Sequence, residues 1–221
     1  YTGNTKDYIE VQAATLDEHL TYVWAKDNAP YVVVGNVTVQ RDNNGSQLST
    51  LQIASGTTLK FQSGVNLFIG NENNGNYRGA LTATGVTFTS FDSLDTWSGI
   101  DFRDHSDDAS CLLDSCTIEN ATDGISCLLS NPTITNSIIQ YNTNNGILCE
   151  SSSPTITNNT IRNNGNGIYC DSGSQPTITG NAFTGNARPV SVFAHRIRNT
   201  ISGNTYTGNT KDYIEVQAAT L

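Results

Sequence analysis

The densest cluster of ionisable side chains lies in GIDFRDHSDDASC, where Asp101, Arg103, Asp104, His105, Asp107 and Asp108 fall within eight residues. Carboxylates at that density suit a calcium ion, and an acid paired with a base across a glycosidic bond cleaves polysaccharide. The local pattern favours a plainer arrangement. Asp101 and Arg103 alternate with apolar Ile100 and Phe102, so they are the outward side chains of a half-buried strand, and Asp104 to Asp108 read as a solvated turn. Cys111, Cys116, Cys127, Cys149 and Cys170 form no CxxC pair, which argues against a zinc cage. No catalytic, cofactor-binding or metal-ligating residue is assigned from these groups.

Three further sets bear on binding. Thr133, Thr155, Thr177 and Thr200, together with Thr135, Thr157 and Thr179, recur at nearly constant spacing. Stacked in columns, they make a flat hydroxyl array of the kind that binds ice, although threonine is also simply a good exposed strand residue. Phe183, Tyr206, Tyr213 and Trp97 are aromatics of the type that stack on sugar rings, but Phe183 and Tyr206 share a position otherwise held by Ile and are expected in the core. Trp24 and Trp97 stand near the starts of strand-like runs, with either role open. Asn36, Asn44, Asn120 and Asn158 begin Asn-x-Ser/Thr sequons, which matter only in a host that glycosylates.

The elements that hold these groups follow from composition and period. The chain has 221 residues, 11 Lys and Arg against 20 Asp and Glu, and no Met. Abundant Gly, Asn, Thr and Ser favour turns and strands over helices. A formal net charge of -9 with no basic cluster argues against nucleic acid and anionic membrane surfaces as partners. No apolar run reaches the roughly 18 residues needed to cross a bilayer, so no membrane insertion is expected. Lacking an initiator Met, the chain reads as a segment of something longer. Its acidic, Lys-poor balance fits an extracellular or cell-surface protein.

Stretches of about 22 residues fall into register when NPTITNSIIQYNTNNGILCESS, SPTITNNTIRNNGNGIYCDSGS and QPTITGNAFTGNARPVSVFAHR are overlaid. One apolar series runs Leu113, Ile134, Ile156, Ile178, Ile201, and a second Ile118, Ile139, Ile161, Phe183, Tyr206. Ile125, Ile147, Ile168, Val190, Ile214 form a third, and Cys127, Cys149, Cys170, Val192, Val216 a fourth. Apolar residues two apart are the inward positions of a strand. Each stretch is therefore a coil of short strands, and stacked coils make a parallel solenoid whose core is a set of vertical ladders. The thiols of the fourth series are core fillers interchangeable with Val, and free thiols are expected there, with a disulfide between neighbouring coils as the alternative and Cys111 and Cys116 left undecided.

The Asn series Asn159, Asn181, Asn204 and Asn142, Asn164, Asn186, Asn209 predict turn ladders, each amide bonding the coils above and below. In the N-terminal half, VTV at Val37, LKF at Leu59 and LTA at Leu81 keep the same offset and are read as equivalent rungs. Excursions are expected at about 40–50, 70–78 and 90–96.

PTITNNTIRNNGNGIYC, with GNAFTGN and GNTYTGN after it, resembles the right-handed parallel β-helix repeats of pectate lyases, polygalacturonases, periplasmic copper-processing proteins and large bacterial surface proteins. The resemblance covers about residues 111–216. It implies an all-β, right-handed parallel β-helix, while enzymes and inert stalks share that architecture. His195 to Asn199 is similar to one polygalacturonase element, but the NTD and GHG elements of that family are missing and Asp107-Asp108 stands alone, so the hydrolase constellation is incomplete.

YTGNTKDYIEVQAATL occupies residues 1–16 and again residues 206–221. The chain thus reads as one β-helix domain over 1–221: a 205-residue unit, 1–205, followed by the first sixteen residues of the next. At about nine coils of roughly 4.8 Å, a unit advances on the order of 43 Å. The expected function is a non-enzymatic repeat of an extracellular fibre, stalk or adhesin, with identical units joined head to tail. Carbohydrate binding or cleavage is the alternative, with surface glycans as partners, and ice binding a third reading.

Overall fold

A computed structural model describes residues 6–41, 47–72, 77–197 and 200–218. Within them the chain winds into a right-handed parallel β-helix of three sheets, each coil giving one strand to each sheet. Sheet A has nine strands, from Ile9–Val11 to Thr205–Tyr206. Sheet B has nine, from Ala14–Leu16 to Ile214–Gln217, and sheet C eight, from Thr21–Trp24 to Ile201–Ser202. All pairings are parallel and in register, and the apolar ladders are continuous. Leu113, Ile134, Ile156, Ile178 and Ile201 are successive partners in sheet C, as are Ile118, Ile139, Ile161, Phe183 and Tyr206 in sheet A. Ile134, Ile156 and Ile178 are fully buried in one common core.

The corners are set by residues that tolerate left-handed backbone. Between sheets C and A, Ser115, Asn136, Asn158, Gly180 and Gly203 take φ of 52 to 69 in five successive coils. Between A and B the same conformation falls on Asn120, Tyr141, Asn163, Gly185 and Gly208. Asn and Gly reach this region at least cost, which is why their spacing in the sequence marks the coil. In the later coils an Asn beside each of these corners closes the stack. The Asn159 Oδ1 accepts from Ser137 N–H at 2.9 Å, while its Nδ2 donates to Ile134 O and to Asn181 Oδ1, both at 3.0 Å. Both expected amide ladders are present, and Ser137 extends the first by one coil, its Oγ accepting from Cys116 N–H.

The N-terminal half departs from the sequence reading. Val37–Val39, Leu59–Phe61 and Thr82 with its neighbours Leu81 and Ala83 are not equivalent rungs: they lie in sheets B, A and C respectively. Coils here are longer, Val37 pairing with Leu67 and Leu67 with Ile100, thirty and thirty-three residues on. An offset of 22 therefore falls one strand short. The extra residues sit at 40–48, 70–78 and 91–98, against excursions expected at about 40–50, 70–78 and 90–96, and in an unforeseen one at 103–111; residues 42–46 and 73–76 lie outside the described residues. Trp97 is fully buried, its ring stacked on Phe61 at 4.2 Å and its Nε1 donating to Glu119 O at 2.9 Å.

Candidate functional site on the outer face of sheet B

The outer face of sheet B gathers most of the residues with chemical potential. Along the stack its central column reads Phe68, Asp101, Ser126, Leu148, Tyr169, Ser191, Glu215. Beside it run Asp123, Asn145, Asn166 and Arg188. Two shallow recesses open along this face. One of about 280 Å³ is bordered by Asn66, Asp101, Asp123 and Glu150, and one of about 470 Å³ by Tyr169, Arg188, Glu215 and Gln217.

The carboxylates are largely committed to holding coils in place. Asp101 points outward as the alternation requires and accepts from Arg103 Nε at 3.1 Å; Arg103 also reaches Glu72 at 3.2 Å and lies 3.6 Å over the Phe68 ring. Burial raises the Asp101 pKa above the ordinary aspartate value against the pull of Arg103. Asp123 Oδ1 accepts from Asn144 Nδ2, Asn145 N–H and Asn145 Nδ2 at 3.0, 3.1 and 2.7 Å, which makes it the first member of an outer amide ladder. Burial also raises Glu150, helped by Asp171, Asp101 and Asp123. Burial works against the charge of Asp171 too, but hydrogen bonds from Ser174, Ser151 and Gly173 outweigh it and hold that pKa low.

Two further acids of GIDFRDHSDDASC act as stitches, while Asp104 lies 3.5 Å from its neighbour His105. Asp107 accepts from Arg78 at 2.6 Å and from Ser110 Oγ at 3.0 Å. Asp108 accepts from the N–H and Nδ2 of Asn131 at 2.7 and 2.8 Å, one coil away. His195 and Arg196 both engage Ser172 O, at 3.1 and 2.7 Å, while Arg198 and Asn199 lie outside the described residues. Among the described residues no group of three or more His, Cys, Asp or Glu is placed to hold a metal ion. Asp101, Asp107, Asp108 and Asp123 each already serve a structural partner.

The thiols are buried, as their alternation with Val implies. Cys127, Cys149 and Cys170 are successive partners in sheet B, and all five cysteines are free and buried. Burial pushes the Cys111 thiol up to about 12 and the Cys116 thiol to about 11. The threonine columns lie on the outer face of sheet C, unbroken from Thr133 to Thr177 and from Thr135 to Thr179, and are interrupted by Leu112 and Asp114 in the preceding coil. Sequence reading missed the serine column Ser130, Ser152, Ser174 at the corner after sheet B, although its 22-residue spacing was available; Ser152 N–H donates to Ser174 Oγ at 3.1 Å.

The family model described as periplasmic copper-binding protein (NosD) matches residues 31–219. No curated protein and no solved structure matches the chain. The matched span takes in every coil from Tyr31 onward, and with its three parallel sheets the chain belongs to the NosD family of β-helix proteins.

Proposed function

We propose that the protein is a non-enzymatic structural repeat of a long extracellular fibre, stalk or adhesin, residues 1–205 forming one unit and 206–221 opening the next. The observation that carries this reading is the state of the two ends. Among the described residues each sheet ends in a strand paired on one side, and these end strands carry half-buried apolar side chains: Val11, Leu16, Tyr22 and Trp24 at one end, Ile201, Tyr206 and Ile214 at the other. Open parallel edges above an apolar core invite a further rung, and a second copy of the unit supplies one with matching ladders. The family name refers to the periplasm, which supports a location outside the cytoplasm.

The same name refers to copper, and the donor set here does not fit that ion. Met is absent from the sequence and the thiols are in the core. His19, His105 and His195 stand before sheet C's first strand, in the 103–111 loop and after residue 193 respectively, in widely separated coils. No step is assigned to copper.

A second reading, binding of a polysaccharide along sheet B, is favoured by the two recesses there and by the Tyr169 ring beside Arg188 and Glu215. Chains of one, two and three tandem units, imaged by electron microscopy, separate these roles. The fibre reading expects rigid rods lengthening by about 40 Å per unit at roughly 4.8 Å per coil. Flexibly jointed beads would sink it, and saturable glycan binding lost on Tyr169→Ala would establish the second reading.

A further inference from the structure

The two copies of the sixteen-residue repeat do not lie in the same sheet. Ile9–Val11 is the first rung of sheet A, whereas the identical Ile214, Glu215 and Val216 belong to the last rung of sheet B. Their local shape is nonetheless shared. Ile and Val continue inward ladders in each copy, with Glu between them outward. The Lys6–Glu10 ion pair reappears as Lys211–Glu215. Lys6 lies 5.6 Å from the Tyr8 ring centroid, as Lys211 lies 5.8 Å from that of Tyr213. An alternating pattern specifies the face a strand buries and not the sheet it joins. The segment is therefore a rung that fits either.

The copies also use opposite edges. Among the described residues, 9–11 pair with the following coil: Ile9 is opposite Tyr31, Ile9 N–H donates to Pro30 O at 3.0 Å, and Val34 N–H donates to Val11 O at 2.9 Å. Residues 214–217 pair with the preceding coil, Ile214 opposite Val190 and Val216 opposite Val192. Each copy displays half of a complete rung, and the two halves are compatible in a single strand. Joined, they make sheet A of one unit the continuation of sheet B of the unit before.

We infer that successive units of a tandem array are each turned by one sheet, a third of a revolution in addition to the solenoid's own twist. The inference rests on the head-to-tail reading proposed above. Strand order gives the same phase: the two identical strands are the first and the twenty-sixth, twenty-five strands apart, which at three per coil is eight and one third coils. The sequence estimate of about nine whole coils misses this fraction. Carried through a junction, the turned phase keeps the coil at the 22 residues that separate Ile9 from Tyr31. It also sets Ala14 and Leu16 of the incoming unit over Ile201 in sheet C, and Tyr22 and Trp24 over Tyr206 in sheet A. An unturned junction instead places Val37–Val39 of the incoming unit on Ile214–Gln217, twenty-eight residues on, and leaves Ala14 and Leu16 without a rung. In the turned array the corners that follow Val39, Ile69 and Ser90 each fall in three rows, and the surface repeats in full only after three units.

A chain of two units, residues 1–205 followed by 1–221, tests this with paired cysteines at outward positions, read by mass spectrometry of the linked peptides. Glu10→Cys with Val32→Cys in the single chain calibrates the geometry, since those residues are direct partners. In the two-unit chain, Glu215→Cys is expected to link to Ser191→Cys in one variant and to Val32→Cys of the second unit in another, each as completely as in the calibration. Linkage to Ser191→Cys together with linkage to Thr38→Cys of the second unit, in place of Val32→Cys, would overturn the turned phase while leaving continuous stacking intact. Failure of Glu215→Cys to link to Ser191→Cys, or to either position of the second unit, would overturn the head-to-tail reading itself.

Discussion

The Asn164 side chain makes four hydrogen bonds from a buried position. Its Oδ1 accepts from the N–H and Nδ2 of Asn142 at 3.0 and 2.9 Å, and its Nδ2 donates to Ile139 O and Asn186 Oδ1, both at 3.0 Å. Asn164→Ala takes the acceptor from the N–H and Nδ2 of Asn142 and a donor from Ile139 O, while Asn186 Oδ1 keeps the backbone N–H of residue 164, and it is expected to cost about 3 kcal/mol, at roughly 1–3 kcal/mol for each unsatisfied group with partial relaxation. Chemical denaturation measures it, and a loss under about 0.5 kcal/mol would mean the ladder adds register without stability. The thiols give a pH signature. Cys111 and Cys116 are raised from an ordinary value of 9.0 to about 12 and about 11, so the folded state keeps protons that the unfolded chain releases. Their contribution is complete below pH 9 and declines as pH rises from about 9 towards 11 and 12, at up to about 1.4 kcal/mol per pH unit for each thiol. Unfolding titrations at pH 8 and pH 10.5 should differ accordingly, and Cys111→Ala should shrink the difference.

A single rung is the next scale. Ile156 is buried in the sheet C ladder and Thr155, its neighbour, is exposed on the outer face. Ile156→Ala is expected to destabilise by about 2–5 kcal/mol and Thr155→Ala by no more than about 0.5, a contrast that thermal or denaturant unfolding resolves. This alternation is why the coils from Leu113 onward were legible in the sequence: steps of 21 to 24 residues kept every ladder in phase, and Asn or Gly stood at most of the left-handed corners. Phe183 and Tyr206 were placed correctly for the same reason, their rings stacked at 5.3 Å. The N-terminal rungs were not legible, because insertions at 40–48 and 70–78 changed coil length while leaving the local alternation untouched. The stitches at Asp107, Asp108 and Asp123 were hidden too, since their partners lie 21 to 29 residues away and no local pattern announces them. Alternation could not say which sheet Ile9–Val11 would join.

At the scale of the molecule, stability is a sum of rungs and the contacts between them, and the two end coils have each contact on one side alone. Joining two units through a shared rung removes one pair of ends. Two tandem units are expected to unfold in one transition, with a denaturant slope close to twice that of one unit and a higher midpoint, as followed by circular dichroism. Two resolved transitions would mean that the junction carries no cooperativity. The amide column inside the stack behaves differently from the strands. In the last coil, Asp212 Oδ1 accepts from Asn209 N–H at 2.8 Å and from its Nδ2 at 2.9 Å, taking the place that the next Asn would fill. A carboxylate can receive but cannot pass a hydrogen bond onward. In the tandem array proposed above each unit would therefore carry its own full stop: the amide wire through Asn142, Asn164, Asn186 and Asn209 would be cut to a fixed length, and what runs on from copy to copy would be backbone and oil.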